Sequence, residues 1–301
     1  MTFDFDSIIM IISNKQYQRK KKINMPERMP DILKYEHPSV ASDIVVFSIM
    51  DDTENNYRKL APKKLKLLLI KRGIEPFKNM YSLPGGFIRN GETLEKTAER
   101  ELEEETGIKS AYLKEFKTFS KPERDPRGWV ISDAFLALIA SQDVSADMSS
   151  DADDAFWFEF SYNISSEKIN QNSKISHVTI TLRHEDHELI SIIEISHTTG
   201  ENSDKIKIIK SDLAFDHAEI IYEGYKELMH CTTDSNIAFN LMPEYFTLSS
   251  LQKVYEVILG KKEYAANFRR KISDFVIETE LENQRAGHRT SKLYKRNPEK
   301  F

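Results

Sequence analysis

Cysteine is nearly missing. Cys231 is the only one in 301 residues, so no disulfide can form within the chain, and a reducing, cytoplasmic location is expected. Long apolar runs are missing too. The N-terminal cluster Ile8 to Ile12 is far shorter than the ~20 residues that cross a bilayer. Asp4 and Asp6 precede it and the basic run Lys15 to Lys22 follows it, the reverse of a secretory leader, so no membrane partner is expected. Zinc-type ligand spacing is also lacking. Four of the eight histidines (His177, His184, His187, His197) fall between residues 163 and 210, but no cysteine pattern accompanies them and they read as exposed loop histidines. With 40% hydrophobic residues, 30% charged residues and a net charge of −5, the composition is that of an ordinary soluble protein, and the length suits two domains plus an insertion.

Residues 85 to 108 carry the strongest signal. Pro84-Gly85-Gly86 breaks an apolar run and Asn90-Gly91 marks a turn. From Glu92 to Glu105 the pattern is helical, with Leu94, Ala98 and Leu102 on one stripe, and Gly107 is placed to end the helix as a left-handed cap. Beside that stripe Glu101, Glu104 and Glu105 stand at i, i+3 and i+4, so their carboxylates are expected to converge. Converging carboxylates repel unless a cation sits among them, and hard oxygen donors suit Mg²⁺ or Mn²⁺. Glu95, Glu99 and Glu103 read as a solvated acidic face.

Gly86, Glu92, Arg100, Glu101, Glu104, Glu105 and Gly107, with Leu102 and Ile108 at aliphatic places, fit without a gap the pattern Gly-x5-Glu-x7-Arg-Glu-aliphatic-x-Glu-Glu-x-Gly-aliphatic. The segment closely resembles the box of the Nudix family. The resemblance implies that Glu101 is a metal ligand and a candidate base for the attacking water, that Glu104 and Glu105 are metal ligands, and that the Gly86 carbonyl joins them. It also implies an ion pair of Arg100 with Glu92 that orients the loop.

Around the box, Val45 to Ile49, Leu65 to Ile70, Trp129 to Ala140 and the shorter Ala155 to Phe160 read as strands. Asp216 and Glu219 read as a capping box opening a helix through about Met229, with Ile220, Ile221 and Tyr225 on its apolar side. This suits an α/β fold, a Nudix α/β/α sandwich with a mixed sheet. Residues 163 to about 210, with alternation at Val178 to Leu182, Leu189 to Ile195 and Ile206 to Ile208, are expected as an inserted β-meander outside that core. Residues 1–34 are expected as a loosely attached extension, 35–235 as the Nudix domain, and 236–301 as a separate C-terminal domain.

The loop Lys121 to Gly128 is polar and turn-rich. Its Arg-Asp-Pro-Arg, followed by Val130-Ile131-Ser132, resembles the ADP-ribose branch of the family. So does the acidic run Asp151 to Asp154 ahead of Trp157-Phe158. The resemblance implies that Arg124 and Arg127 bind substrate with Gly86, through forked hydrogen bonds to phosphate or ribose. Asp153 and Asp154 are candidates for a remote base. A rigid surface loop is the alternative.

The last 61 residues change character, with 12 Lys and Arg against 8 Asp and Glu on a chain that is acidic overall. A basic module on an acidic body suits a polyanion partner. Thr247 is a helix cap ahead of the stripe Leu248, Leu251, Val254, Tyr255, Ile258 and Leu259, with Gly260 closing the helix. A second helix turns Phe268, Ile272, Phe275 and Val276 inward and Asn267, Arg269, Arg270 and Ser273 outward. Gln284 to Arg289, with Gly287, is a turn between two strand-like runs. Helix, turn, helix and hairpin make a winged helix-turn-helix layout, in which Arg269 and Arg270 on the second helix and Arg285 and Arg289 in the wing are candidate DNA contacts. A helical cap on the sheet edge is the alternative.

Phe246-Thr247-Leu248, Leu251-Gln252, Tyr255-Glu256 and Asn267 to Lys271 resemble the C-terminal domain of the Nudix-related transcriptional regulators of NAD metabolism, and the resemblance covers roughly residues 35 to 301. It implies a homodimer that senses ADP-ribose or a related nucleotide and binds double-stranded DNA. Some such regulators have degraded boxes and no hydrolase activity, whereas this chain keeps every box residue. Hydrolysis of ADP-ribose or a related nucleoside diphosphate derivative and sensing without turnover are both expectations to carry forward.

Overall fold

The computed structural model describes residues 35–51, 62–141, 155–185, 187–201, 203–234, 236–283 and 290–300. The expected extension 1–34, the acidic loop with Asp153 and Asp154, and the wing-turn residues Arg285, Gly287 and Arg289 lie outside the described residues.

One mixed sheet organises the protein. Its strands are β1 (Ser39–Asp51), β2 (Lys63–Lys71), β5 (Tyr112–Phe119), β6 (Val130–Ile139), β7 (Ala155–Ile169), β8 (Ser173–His184), β9 (His187–Thr198) and β10 (Lys205–Ser211), with two short strands, β3 (Tyr81–Ser82) and β4 (Gly85–Phe87). The spatial order is β10-β9-β8-β7-β2-β1-β6-β5, with β3 paired to β2 and β4 to β1. The β1–β6 pair is parallel, and every other pair in the sheet is antiparallel.

Side-chain alternation on β1 sorts the two faces. Ile44 and Val46 join Leu68, Phe135, Ala137 and Ile139 on the face covered by helix α1 (Leu94–Thr106), which inserts Ala98 and Leu102. Val45, Phe47 and Ile49 point the other way, under helix α2 (His217–Asp234) and the C-terminal module. Gly224 lets α2 approach the sheet closely, because a Cβ there would lie 3.0 Å from the Val45 side chain. Helix on each side of the sheet gives the expected α/β/α sandwich.

Helix α1 ends as its sequence says, on Gly107 at φ 73°, with its amide donating to the Glu103 carbonyl. Its N-cap is Thr93, whose hydroxyl accepts from the Lys96 amide. Glu95, Glu99 and Glu103 are exposed, as expected of a solvated face.

Three expectations need correction. The meander β8-β9-β10 exists, but it does not stand outside the core. Strand β7 runs on past Phe160 to Ile169 and pairs with β8 along that length, so the ladder is continuous. Val178, Ile180, Leu182, Ile193, Ile195 and Ile206 are buried in the same cluster as Phe47 and Leu67. The polar residues Asn163 to Lys168 hid the continuation because they are poor strand formers, and pairing with β8 overrides that preference. Second, the capping box at Asp216 and Glu219 does not form. Their carboxylates are taken by Arg124 and Lys121, partners distant in sequence. Third, the histidines of the meander are not uniformly exposed. The half-buried His184 ring lies against Phe156 and Phe158, whereas His177 faces Glu194 and His197 faces Asp204.

The C-terminal module comprises α3 (Leu248–Leu259), α4 (Ala265–Ile272) and the hairpin β11 (Val276–Asn283) with β12 (Ser291–Arg296). Thr247 caps α3 through the Ser250 amide, and Gly260 closes it at φ 63°. Phe246 adds a bridge to Tyr294 on the hairpin edge. The module is not tethered by a bare linker. Leu251, Val254, Tyr255, Ile258, Phe268 and Ile272 belong to the same buried cluster as the sheet and α2, and the Tyr225 hydroxyl on α2 donates to the Ile258 carbonyl on α3 at 2.9 Å.

Candidate functional site

The box occupies the strand–loop–helix unit of β4 and α1. Residues Leu83 to Phe87, which lead into and form β4, pass under α1 at very close range. A Cβ on Gly86 would lie 2.3 Å from a Glu101 carboxylate oxygen, and one on Gly85 would lie 2.2 Å from the Ser42 carbonyl. Only glycine fits at 85, where the obstacle is backbone, and a side chain at 86 would displace the Glu101 carboxylate.

Arg100 organises the carboxylates. Its guanidinium forks onto Glu92 at 2.7 and 3.0 Å, and it also donates to Glu101 at 2.5 Å, to Glu104 at 3.1 Å and to the Phe87 carbonyl at 3.2 Å. The Glu92 carboxyl is held down to about 2 by Arg100, with help from the Arg89 amide. Glu104 is forked by Arg89 at 3.0 and 2.9 Å, which lowers its pKa. Glu105 is different. It is pushed up to about 7 by burial, with the Glu101 and Asp43 charges adding to the shift and the hydrogen bond from the Gly85 amide opposing it.

The three glutamates therefore share one face of α1, with Glu101 and Glu104 both bound to Arg100 and Glu105 turned to the Gly85 amide. Among the described residues no group of three acidic, histidine or cysteine side chains stands close enough to hold a metal. Glu101 and Glu105 already flank the Gly85-Gly86 backbone. Glu104, which is exposed, is held by Arg89 and Arg100. The donor set is all hard oxygen, which fits Mg²⁺ or Mn²⁺.

Beside the box opens a cleft lined by Asp43, Arg72, Gly85, Gly86, Phe87, Glu105, Arg124, Arg127, Phe215 and His217 among others. It brings together residues from β1, β2, the 121–128 loop and the start of α2. The sequence missed Asp43, Arg72, Phe87, Phe215 and His217, whose partners are far away along the chain.

The two arginines of the loop have unlike surroundings. Arg124, with a side chain only 5% exposed, forks onto Asp216 at 2.8 Å for both bonds and reaches Asp43 at 3.1 Å. Asp43 also accepts from Ser132 at 2.7 Å. Arg127 is 43% exposed and forks onto Asp125. Its guanidinium lies 5.2 Å from the Phe87 ring centre and 5.3 Å from that of Phe215. Arg72 sits 4.7 Å from the Phe215 ring centre as well, and the Phe215 backbone is held in the left-handed region at φ 51°. An aromatic pair carrying two guanidinium groups can take both a flat ring and phosphate oxygens.

On the C-terminal module, Asn267, Arg269, Arg270 and Lys271 are exposed along α4. Phe268 packs edge-on against Tyr255 with ring centres 5.2 Å apart. Glu256 accepts from Gln252 and from the Glu263 amide, which fixes the turn between α3 and α4. Arg296 on the hairpin is engaged with Asn240 and the Phe239 carbonyl.

Fold and site together define a class: an α/β domain with an acidic strand–loop–helix signature, sharing its core with a helix-turn-helix and wing. Comparison with known proteins agrees. Residues 58–175 match the NUDIX domain and residues 238–295 match the NrtR DNA-binding winged helix domain. The ADPR responsive transcriptional repressor NtrR of Acinetobacter baylyi is 28% identical over 264 residues, covering 87% of this chain and 83% of that protein. The ADP-ribose pyrophosphatase of Methanocaldococcus jannaschii is 36% identical over 139 residues, covering 46% of this chain and 72% of that protein. The crystal structure of Shewanella oneidensis NrtR complexed with a 27mer DNA superposes with a TM-score of 0.59 at 26% identity, over 87% of this chain and 94% of that one. The chain belongs to the Nudix family and carries the NrtR-type winged helix domain at its C-terminal end.

Proposed function

We propose that this protein is a DNA-binding regulator that responds to ADP-ribose or a close relative, and that its Nudix site hydrolyses the pyrophosphate of that ligand. The observation that carries hydrolysis is the complete acidic set of α1 on one face beside Gly86, with Arg100 and Glu92 paired as the box requires. Regulation is supported by the winged helix and by the likeness, along most of the chain, to an ADPR responsive repressor.

In this reading Glu101, Glu104, Glu105 and the Gly86 carbonyl would hold Mg²⁺ or Mn²⁺, which would supply charge to neutralise the diphosphate and make an attacking water more acidic. Arg127 and Arg72 present cationic groups to the phosphates along the cleft. Phe87 and Phe215 offer apolar faces to the nucleoside. Glu101 is the candidate to take the proton from water. Attack at one phosphorus breaks the P–O–P bridge and gives AMP and ribose 5-phosphate. Arg124 holds the cleft wall together through Asp43 and Asp216. The DNA-bound form is a homodimer in the cytoplasm, with Arg269 and Arg270 facing the duplex, and Arg285 and Arg289 are the further contacts proposed in the wing.

A second reading, sensing without turnover, is favoured by the fork of Arg89 on Glu104, which keeps that carboxylate from the others. Measuring AMP release from ADP-ribose with and without Mg²⁺ decides between the two. Turnover by wild type that falls by several orders of magnitude in Glu104→Gln supports hydrolysis. A wild type that binds ADP-ribose and releases nothing leaves sensing.

A further inference from the structure

His217 is the first residue of α2 and is buried. Its Nδ1 accepts the Leu83 amide at 2.9 Å across 134 residues of sequence. An Nδ1 that accepts carries no proton, so the ring proton is on Nε2, which faces the Asp43 carboxylate at 3.6 Å. Burial favours the neutral ring as well.

Leu83 opens the Leu83-Pro84-Gly85-Gly86 loop. Around it, the Pro84 carbonyl accepts from the Ile44 amide at 2.9 Å, the Ala214 amide donates to the Tyr81 carbonyl at 2.9 Å, and the Gly85 amide donates to Glu105 at 2.8 Å. The loop is thus pinned from β1, from α1 and from the chain entering α2. Its tolerance is small, since a Cβ on Gly86 would lie 2.3 Å from a Glu101 carboxylate oxygen and one on Gly85 2.2 Å from the Ser42 carbonyl. Leu83 is itself buried, so its amide has no water to turn to if Nδ1 is removed.

We propose that His217 is a positioning residue for the box, holding the Leu83–Gly86 loop so that the Gly86 carbonyl stays in register with Glu101 and Glu105. Both ring nitrogens are committed, to Leu83 and toward Asp43, so the residue acts through the loop and not on the substrate. This rests on the metal-dependent reading of the site. The Phe-Asp-His run ahead of α2 gives no hint of the role, because its partner loop is so distant in sequence.

The test compares His217→Leu, which has no acceptor, with His217→Asn, whose side-chain oxygen can stand near the place of Nδ1. Mn²⁺ binding to the full chain is followed by electron paramagnetic resonance, alongside kcat and KM for ADP-ribose and a thermal melt. We expect His217→Leu to lose about tenfold or more in Mn²⁺ affinity, in line with other residues that orient ligands, with kcat falling more than KM rises. His217→Asn should recover most of the affinity. Nitrogen NMR of the wild type should show Nδ1 unprotonated, a reading that stands even if His217→Leu does not fold. Folded His217→Leu with wild-type Mn²⁺ affinity, equal damage in both variants, or a proton on Nδ1 each overturns the proposal. Wild type that binds no Mn²⁺ overturns the metal reading and this proposal together, whereas Mn²⁺ binding without turnover removes the hydrolase alone.

Discussion

Replacing Arg124 by methionine keeps the stem and removes the charge, and it should act on stability before it acts on ligand. The guanidinium neutralises two buried carboxylates, Asp216 and Asp43. Without it both carboxylates lose the fork that pairs them, and the neutral His217 beside Asp43 cannot replace the charge. Removing one partner of a buried ion pair costs about 3 to 5 kcal/mol. For a chain of this size each kcal/mol moves the melting temperature by about 2 to 4 °C, so the midpoint should fall by about 6 to 20 °C. The half-exposed Arg127 makes the contrasting control. Arg127→Ala should move the melt less, because Asp125 keeps the Arg127 backbone amide as a donor, and it should weaken ADP-ribose by about 1.5 to 3 kcal/mol, the usual worth of a charge-assisted hydrogen bond. Differential scanning calorimetry and ligand titration calorimetry on both variants read this directly. An unchanged melt with weakened ligand binding in Arg124→Met would move Arg124 from the cleft wall into the grip on the ligand, against the assignment made from its buried partners.

The pairing of Glu92 with Arg100 sets an acid limit. Its carboxyl is held at about 2 against the usual 4.5, so the folded state keeps it ionised where the unfolded chain is already protonated. Its contribution is complete above about pH 4.5 and disappears as pH falls toward 2, and Glu92→Gln should flatten stability against pH in that window in denaturant titrations. Gly86→Ala places a methyl group against Glu101, so it should lower Mn²⁺ affinity while ADP-ribose still protects the cleft in hydrogen exchange. Arg269→Ala with Arg270→Ala should weaken DNA binding and flatten its salt dependence, by about 0.9 in log–log slope for each phosphate no longer neutralised, as read by fluorescence anisotropy. Unchanged slope would place the DNA on another surface.

Local pattern made some of this legible and distance hid the rest. Helix α1 could be read from Leu94, Ala98 and Leu102 and from Gly107, because its cap and its apolar stripe are both local. Helix α3 was legible for the same reason, through Thr247 and Gly260. Strand β5 escaped because Tyr112 to Phe119 has no clean alternation of burial at the sheet's edge. The supposed cap at Asp216 and Glu219 shows the opposite failure. Two acidic residues at a helix start read as a local device, yet Arg124 and Lys121 reach them from 92 and 98 residues away. The box itself was legible as spacing, but where its carboxylates aim was not, since Arg89 and Arg100 decide that. Asp43, Phe215 and His217 carry no sequence signal of their own. They become a site only when β1, the 121–128 loop and α2 are brought together.

A regulator of the proposed kind needs occupancy of the cleft to reach the winged helix. Helix α2 begins at the cleft with His217, just after Phe215, and is bonded to α3 through Tyr225, and a ligand that prefers one arrangement must shift the other by the same factor. The direct measurement is a mobility-shift titration of the full chain on DNA from its own promoter region, at low salt, with ADP-ribose added stepwise. Retardation of the free DNA by the protein is expected, with its progressive loss as ADP-ribose rises and a blunted response in Tyr225→Phe. Retardation that ADP-ribose leaves unchanged, at concentrations shown by calorimetry to fill the cleft, would contradict this coupling.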